Sequence, residues 1–100
     1  MIVVRDVMEL KFGKSKEAVA LVRQLAEIGS RAVPGGLPMR FLTDATGRFY
    51  RLVLETSYAS LAEYEQQLKT VFGNPEWRAW YDKVIPLVES GHREIFNVVQ

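Results

Sequence analysis

The sequence contains no cysteine and only one histidine, His92. The lack of cysteine excludes disulfide bonds, thiolate nucleophiles and cysteine-ligated metals, and it is compatible with a reducing cytoplasm, where we expect the protein. One histidine cannot form a multi-histidine metal site, and no pair of carboxylates has a recognisable ligand spacing. Serine-nucleophile motifs and glycine-rich phosphate loops are also absent. We therefore expect neither a metal nor any other cofactor.

The sequence also lacks a large excess of charge and a long apolar run. A formal net charge of +1 argues against nucleic acid as a partner, because phosphate binding needs a clustered basic excess. No apolar run approaches the roughly 20 residues of a membrane-spanning helix. Arg5 and Asp6 come too early for the apolar core of a signal peptide. We expect residues 1–100 to form one soluble domain that binds neither nucleic acid nor a membrane.

The hydrophobic pattern predicts two β-α-β halves joined by a central hairpin. Apolar side chains recur at spacings of three and four over residues 15–31, which is typical of a helix, whereas residues 49–56 alternate as in a strand. A turn-rich segment at residues 44–47 favours a hairpin. The predicted elements are strand 2–12, helix 15–31, strand 39–43, strand 49–56, a helical region over 60–90 and strand 93–99.

Short polar, glycine and proline motifs set the limits of the predicted helices. Pro34-Gly35-Gly36 forbids continuation of the first helix. Ser60 and Glu63 form a capping-box pattern at the start of the second helical region. Gly73-Asn74-Pro75 breaks this region and restarts it, since asparagine caps helices well and proline suits the first helical position. Pro86 should kink or open its later part.

This order predicts an α+β, ferredoxin-like fold in which both helices cover one face of a four-stranded antiparallel sheet. The other face mixes charged and apolar side chains, and the charged ones are expected to form cross-strand or cross-dimer ion pairs. A half-apolar face is costly to leave in water, so a second copy of the sheet is its natural cover. The charged residues of this face are Arg5, Glu9, Arg51, Glu55 and Glu94, and their apolar neighbours include Val3, Val7 and Val53.

Asp6 is the most informative candidate site residue. It interrupts an otherwise apolar series on the first strand, on the side that should meet the helices. A carboxylate there must be hydrogen-bonded, border a cavity or be protonated, although a bulge in the strand would also explain it. The expected donors are an arginine or lysine from a helix, or the indole of Trp77. Asp6 therefore predicts a pocket between the sheet and the helices.

Trp77, Tyr81 and His92 are the other candidate ligand-binding residues. Together with Trp80, the first two place aromatic surface beside the break in the second helical region, either as a wall for a flat ligand or as core packing. His92 could act as a general base near neutral pH, or it could have a structural role at the junction between the last helix and the last strand.

Several motifs resemble the dimeric α/β-barrel superfamily, and most of all its NIPSNAP-like members. They are Phe12-Gly13-Lys14, Asn74-Pro75-Glu76-Trp77, Val84-Ile85-Pro86-Leu87-Val88 and Gly91-His92-Arg93-Glu94-Ile95. The resemblance covers essentially the whole chain. It implies a homodimer whose two sheets pack face to face into a barrel, with a ligand pocket between the sheet and the helices of each subunit.

The resemblance leaves three functions open. The first is a homodimeric protein, of no assigned activity, that binds a small hydrophobic or aromatic molecule. The second is a cofactor-independent monooxygenase or isomerase of the antibiotic-biosynthesis-monooxygenase type, and the third is a purely structural dimerisation module. Haem degradation is disfavoured, because the haem-degrading relatives use an asparagine on the first strand and residues 2–12 contain none.

Overall fold

The computed structural model describes residues 1–33, 35 and 38–100. The elements follow the predicted order, which confirms the α+β, ferredoxin-like fold. Pro34 and Gly36 of the predicted helix break lie outside the described residues. The elements are β1 (Ile2–Leu10), α1 (Ser15–Ala32), β2 (Met39–Thr43), β3 (Arg51–Tyr58), α2 (Leu61–Phe72), α3 (Pro75–Val84), a 3₁₀ turn (Ile85–Leu87) and β4 (Val88–Asn97).

The four strands form one antiparallel sheet in the order β2-β3-β1-β4. β1 lies in the interior, with Asp6 directly opposite Leu54 of β3 and Arg93 of β4. Because side chains alternate between the faces of a strand, Asp6 shares its face with the buried residues Val4 and Leu10. A bulge between β1 and β4 lies beyond Asp6, at Glu9 and Leu10, and leaves Asp6 on this helix-facing side.

Ser60 caps the start of α2 and Asn74 caps the start of α3, as the sequence predicted. The backbone N–H of Glu63 donates to Ser60 Oγ at 3.2 Å, and the Glu63 carboxylate accepts from the N–H of Ala59 at 2.8 Å. The N–H of Glu76 donates to Asn74 Oδ1 at 2.8 Å. These bonds satisfy amides that have no partner inside the helix, so the chain can stop and restart between α2 and α3.

The end of α3 is where the sequence prediction is wrong. The helical region was expected to extend to Ser90, but α3 ends at Val84 and β4 already begins at Val88. Pro86 supplies no amide for a helical hydrogen bond and lies in the 3₁₀ turn that links the two elements. His92 consequently lies well inside β4, opposite Val7, and not at a junction between helix and strand.

The core is divided into clusters beneath different helices. α1 covers a cluster around Leu52, which is completely buried, and α1 and α3 together form a second cluster. α2 covers a separate cluster that contains Ile2, Val4, Tyr58 and Tyr64. Asp6 follows Val4 on the helix-facing side of β1, so its polar side chain lies between the cluster that contains Val4 and the cluster around Leu52.

The opposite face of the sheet, which we call the open face, carries the predicted cross-strand ion pairs. The carboxylate of Glu55 lies 2.8 Å from a guanidinium nitrogen of Arg5 and 2.8 Å from one of Arg40. Glu9 Oε1 lies 3.2 Å from Nε of Arg51. Apolar side chains lie between these pairs, among them Leu42, which is 38% exposed, and Phe96, which is 43% exposed.

Glu55 should make the fold sensitive to acid. Hydrogen bonds from Arg5, and then from Arg40, hold the pKa of Glu55 below its ordinary value of 4.5. The folded state therefore binds the proton less readily than the unfolded state. The stability that this carboxylate contributes is present above about pH 4.5 and is lost as the pH falls through the folded-state pKa.

The substitution Glu55→Gln should flatten the fall in the free energy of unfolding below pH 4.5. Urea titrations between pH 3 and pH 7 measure this difference directly. Glu65→Gln is the matched control, because Glu65 is exposed on α2 and forms no ion pair within the described ranges. An equally steep fall in wild type and Glu55→Gln would show that the arginines do not act on this carboxylate.

Candidate functional site

A cavity of about 560 Å³ lies between the helix-facing side of the sheet and the helices α2 and α3. Its walls are mostly apolar, and its volume is within the range of small-molecule pockets, roughly 300–1,000 Å³. Gly91, opposite Met8 on this side of β4, lines the cavity, and a Cβ atom there would lie 3.2 Å from the backbone oxygen of Val7. The apolar walls include Leu54 on β3, Leu68 and Val71 on α2, and Trp80 and Val84 on α3.

Aromatic side chains form the mouth of the cavity. The rings of Trp77 and Tyr81, one helical turn apart on α3, are stacked with centroids 4.9 Å apart and an interplanar angle of 12°. Phe72 at the end of α2 lies 4.8 Å from Trp77. Phe72 and Tyr81 are 50% and 39% exposed, so this group is in contact with solvent. The break between α2 and α3 is what brings Phe72 against Trp77.

The structure distinguishes Trp80 from Trp77 and Tyr81. Trp77 and Tyr81 line the cavity, which is compatible with a wall for a flat ligand. Trp80 is only 6% exposed, and its Nε1 donates to the backbone oxygen of Leu21 at 2.6 Å. Trp80 therefore has a structural role in fixing α3 on α1. The ligand-binding role of Trp77 and Tyr81 stays a prediction.

Asp6 lies at the polar end of the cavity, hydrogen-bonded to Arg93. Arg93 Nε donates to Asp6 Oδ1 across adjacent strands, and this bond raises the pKa of Arg93. The guanidinium also lies over the ring of Tyr64, 5.8 Å from its centroid. The donor to Asp6 is thus a strand residue, whereas the sequence suggested a helix residue or Trp77. The last strand was predicted to begin at Arg93, whereas β4 begins at Val88 and Arg93 lies inside it, opposite Asp6.

Tyr64 on α2 also lines this end of the cavity, although no motif in the sequence distinguishes it. Tyr64 is 6% exposed, and its buried hydroxyl has no hydrogen-bond partner among residues 1–33, 35 and 38–100. Burial raises the pKa of Tyr64, while the charge of Arg93 opposes the increase. The ring of Tyr58 lies 5.1 Å away, and burial raises its pKa as well. Both hydroxyls are therefore neutral near pH 7, when they can donate and accept hydrogen bonds.

His92 differs from the other three candidate residues in where its side chain lies. It borders the cavity as a residue of β4, but its imidazole shares the open face with Glu94. His92 Nε2 lies 2.9 Å from Glu94 Oε1 in an exposed pair. The structure therefore brings together the side chains of Asp6, Trp77 and Tyr81, and leaves the imidazole on the other side of the sheet.

The described residues hold no group of three or more histidine, aspartate or glutamate side chains that could bind a metal ion. The charged side chains at the polar end of the cavity are Asp6 and Arg93, which bond each other. Among all the residues that the structure describes, no helix has both the length and the hydrophobicity needed to cross a bilayer.

Comparison with known proteins identifies the fold. No family model and no curated protein matches the sequence. A NIPSNAP family protein from Agrobacterium tumefaciens has a TM-score of 0.84 and 21% identity, over 95% of this chain and 82% of that one. An uncharacterised NIPSNAP domain protein from Burkholderia xenovorans has a TM-score of 0.84 and 17% identity, over 99% of this chain and 95% of that one.

Proteins of a second group have a similar structure. A Nitrosomonas europaea protein, provisionally named an antibiotic biosynthesis monooxygenase, has a TM-score of 0.77 and 20% identity over the full length of both chains. At these identities the likeness is evidence of fold and leaves the activity open. The chain thus has the ferredoxin-like fold that NIPSNAP proteins share with these monooxygenase-like proteins, as its motifs predicted.

Proposed function

We propose that this protein is a homodimer that binds a small hydrophobic or aromatic molecule between its sheet and helices. The observation that carries the proposal is the apolar cavity of about 560 Å³ with Trp77 and Tyr81 at its mouth. The cavity is a half-open cleft with mostly apolar walls, which is the usual form of a small-molecule binding site. Binding of an apolar molecule would remove this wall surface from water, which is favourable.

The open face supports the dimer. It exposes Leu42 and Phe96 between its ion pairs, and α1, α2 and α3 all lie on the other side of the sheet. Two such faces can pack together without closing the cavity, because the cavity lies between the sheet and the helices. The dimer then covers apolar surface, and each copy keeps its own binding site.

A cofactor-independent monooxygenase or isomerase is the alternative, and Asp6 is the observation that favours it. A carboxylate beside a bound aromatic molecule could accept a proton from it. The fold shared with the provisionally named monooxygenase of Nitrosomonas europaea is compatible with this activity. Oxygen uptake in the presence of quinols and phenols distinguishes the alternative from binding alone.

Naphthalene is a suitable probe of the binding site, because it is flat, apolar and uncharged. It should bind saturably and shift the NMR signal of the Trp77 indole, which lines the cavity. Trp77→Ala should weaken binding roughly two- to tenfold, the range expected for loss of one aromatic contact.

Phe49→Ala is the matched control, since Phe49 is 75% exposed and lies away from the cavity. This variant should bind naphthalene as wild type does. The absence of saturable binding, or equal losses in the two variants, would contradict a ligand site at this position.

A further inference from the structure

We propose that the last turn of α2, residues 69–72, is a gate that closes over the mouth of the cavity once an apolar molecule has entered. This inference rests on the proposed function, because closure needs an occupant in the cavity. Three observations carry it. The cavity is half-open beside this turn, α3 on the other side of the mouth is held in place, and the turn ends at a glycine that its present conformation does not require.

The open mouth leaves apolar surface of the gate in contact with water. Val71 and Phe72 line the cavity, and Phe72 is 50% exposed. When an apolar molecule is bound, a small inward movement of the gate packs these side chains against it and removes their surface from water. In the empty cavity the same movement would bring them against a space with no atoms to contact. A bound molecule therefore favours the closed form.

α3, on the other side of the mouth, is fixed on α1. Trp80 Nε1 donates to the backbone oxygen of Leu21 at 2.6 Å. Arg31 near the end of α1 pairs with Glu76 in the first turn of α3. These two links, one buried and one exposed, hold α3 near both of its ends, so we expect the α3 wall of the cavity to keep its position when a molecule binds.

The gate has no comparable link. Among the residues that the structure describes, no side-chain hydrogen bond or ion pair connects residues 69–72 to another element. The gate meets α3 through the rings of Phe72 and Trp77, and an apolar contact of this kind has no fixed direction. The buried side chain that anchors α2, Tyr64, lies two turns earlier in the helix. The gate can therefore move while the rest of α2 stays in place.

Gly73 is the hinge between the gate and α3. Its φ of −80° is open to any residue, and a Cβ atom there would lie 3.4 Å from the backbone oxygen of Lys69, which is an ordinary contact. Gly47 in the hairpin differs, because its φ of +89° favours glycine. The open form thus has no need of glycine at position 73, whereas a closed form with other backbone angles would use its conformational freedom.

Gly73→Ala distinguishes a gate from a rigid wall. Alanine fits the open form and restricts the unfolded chain, so the variant should melt at a higher temperature than wild type. Because alanine disfavours the closed form, the variant should bind N-phenyl-1-naphthylamine, an uncharged fluorescent probe, roughly two- to fivefold more weakly. Fluorescence titration at pH 7 gives the dissociation constants. Gly73 does not line the cavity, so a rigid site would bind the probe equally well in both proteins.

Gly47→Ala is the matched control. Its positive φ should make the substitution lower the melting temperature, and its distance from the cavity should leave the affinity for the probe as in wild type. Affinity would then not follow stability. A lower melting temperature for Gly73→Ala, or an affinity equal to that of wild type, would overturn the gate.

The absence of cysteine allows the movement to be measured directly with spin labels. One pair of labels is placed at Gln24→Cys on α1 and Lys69→Cys in the gate, which are both exposed positions. Saturation with the probe should change the distance between these labels by about 2 Å or more, the scale of a helix shift. The control pair, Gln24→Cys with Asp82→Cys on α3, should keep its distance.

The outcomes separate the gate from the binding site on which it depends. If the probe binds wild type while the affinity of Gly73→Ala or the distance between positions 24 and 69 stays unchanged, the proposed function stands and the gate is refuted. If the probe does not bind wild type, the proposed function fails, and the gate fails with it.

Discussion

Leu52→Ala should lower the free energy of unfolding by about 2–5 kcal/mol, the range measured when a fully buried leucine is truncated. Leu52 is 0% exposed on β3 and belongs to the cluster beneath α1, with Val22 and Leu87. Truncation removes its apolar contacts and leaves a hole that close-packed neighbours fill only in part. Urea or thermal unfolding of the two proteins measures the loss.

Leu54→Ala is the matched variant, because the same residue type lies two positions along the same strand and on the same face. Leu54 is only partly buried and borders the cavity, so its side chain has fewer neighbours to lose. We expect its truncation to cost about 1–2 kcal/mol, mainly from the lost transfer free energy of the apolar surface that this side chain does bury. Equal costs at the two positions would mean that the space beside Leu54 is filled in solution, which would contradict the cavity.

The alternation of Leu52 and Leu54 with Arg51, Val53 and Glu55 is a local pattern from which the sequence predicts this fold well. Period-two alternation identified the face of β3, and helical spacing identified the buried stripe of α1. Local hydrogen-bonding motifs set the start of α2 at Ser60 and of α3 at Asn74. Each of these features depends on residues close together along the chain, so a single sequence contains the information.

The polar end of the cavity could be predicted only in part. The apolar neighbours of Asp6 indicated the correct face, since a carboxylate there needs a partner or a cavity. Its partner Arg93 is 87 residues away in the sequence, and their pairing depends on where β4 starts. The unsatisfied hydroxyl of Tyr64 depends on how α2 packs over the sheet, and Tyr64 in an apolar stripe gives no sign of this. Long-range register and packing therefore limited the prediction.

The open face also depends on contacts between residues that are not neighbours in the sequence, because we expect a second chain to cover it. Its ion pairs are satisfied within one sheet: Glu55 bonds Arg5 and Arg40, and Glu9 bonds Arg51. Two copies can therefore meet without leaving these charges unpaired, which would otherwise oppose their burial. The apolar side chains between the pairs would then supply most of the favourable free energy of association.

Val53→Asp should convert the proposed dimer into a monomer. Val53 lies on the open face of β3, between Val7 and Leu42 on the neighbouring strands, so the new carboxylate would be buried at the interface with apolar cross-strand partners. An unpaired buried carboxylate costs several kcal/mol, so the dissociation constant should rise by more than about a hundredfold. Light scattering at low micromolar concentration should give twice the chain mass for wild type and for the near-isosteric control Val53→Thr, and a single chain mass for Val53→Asp. A wild-type monomer would refute the dimer, and a Val53→Asp dimer of unchanged affinity would place the interface on another surface.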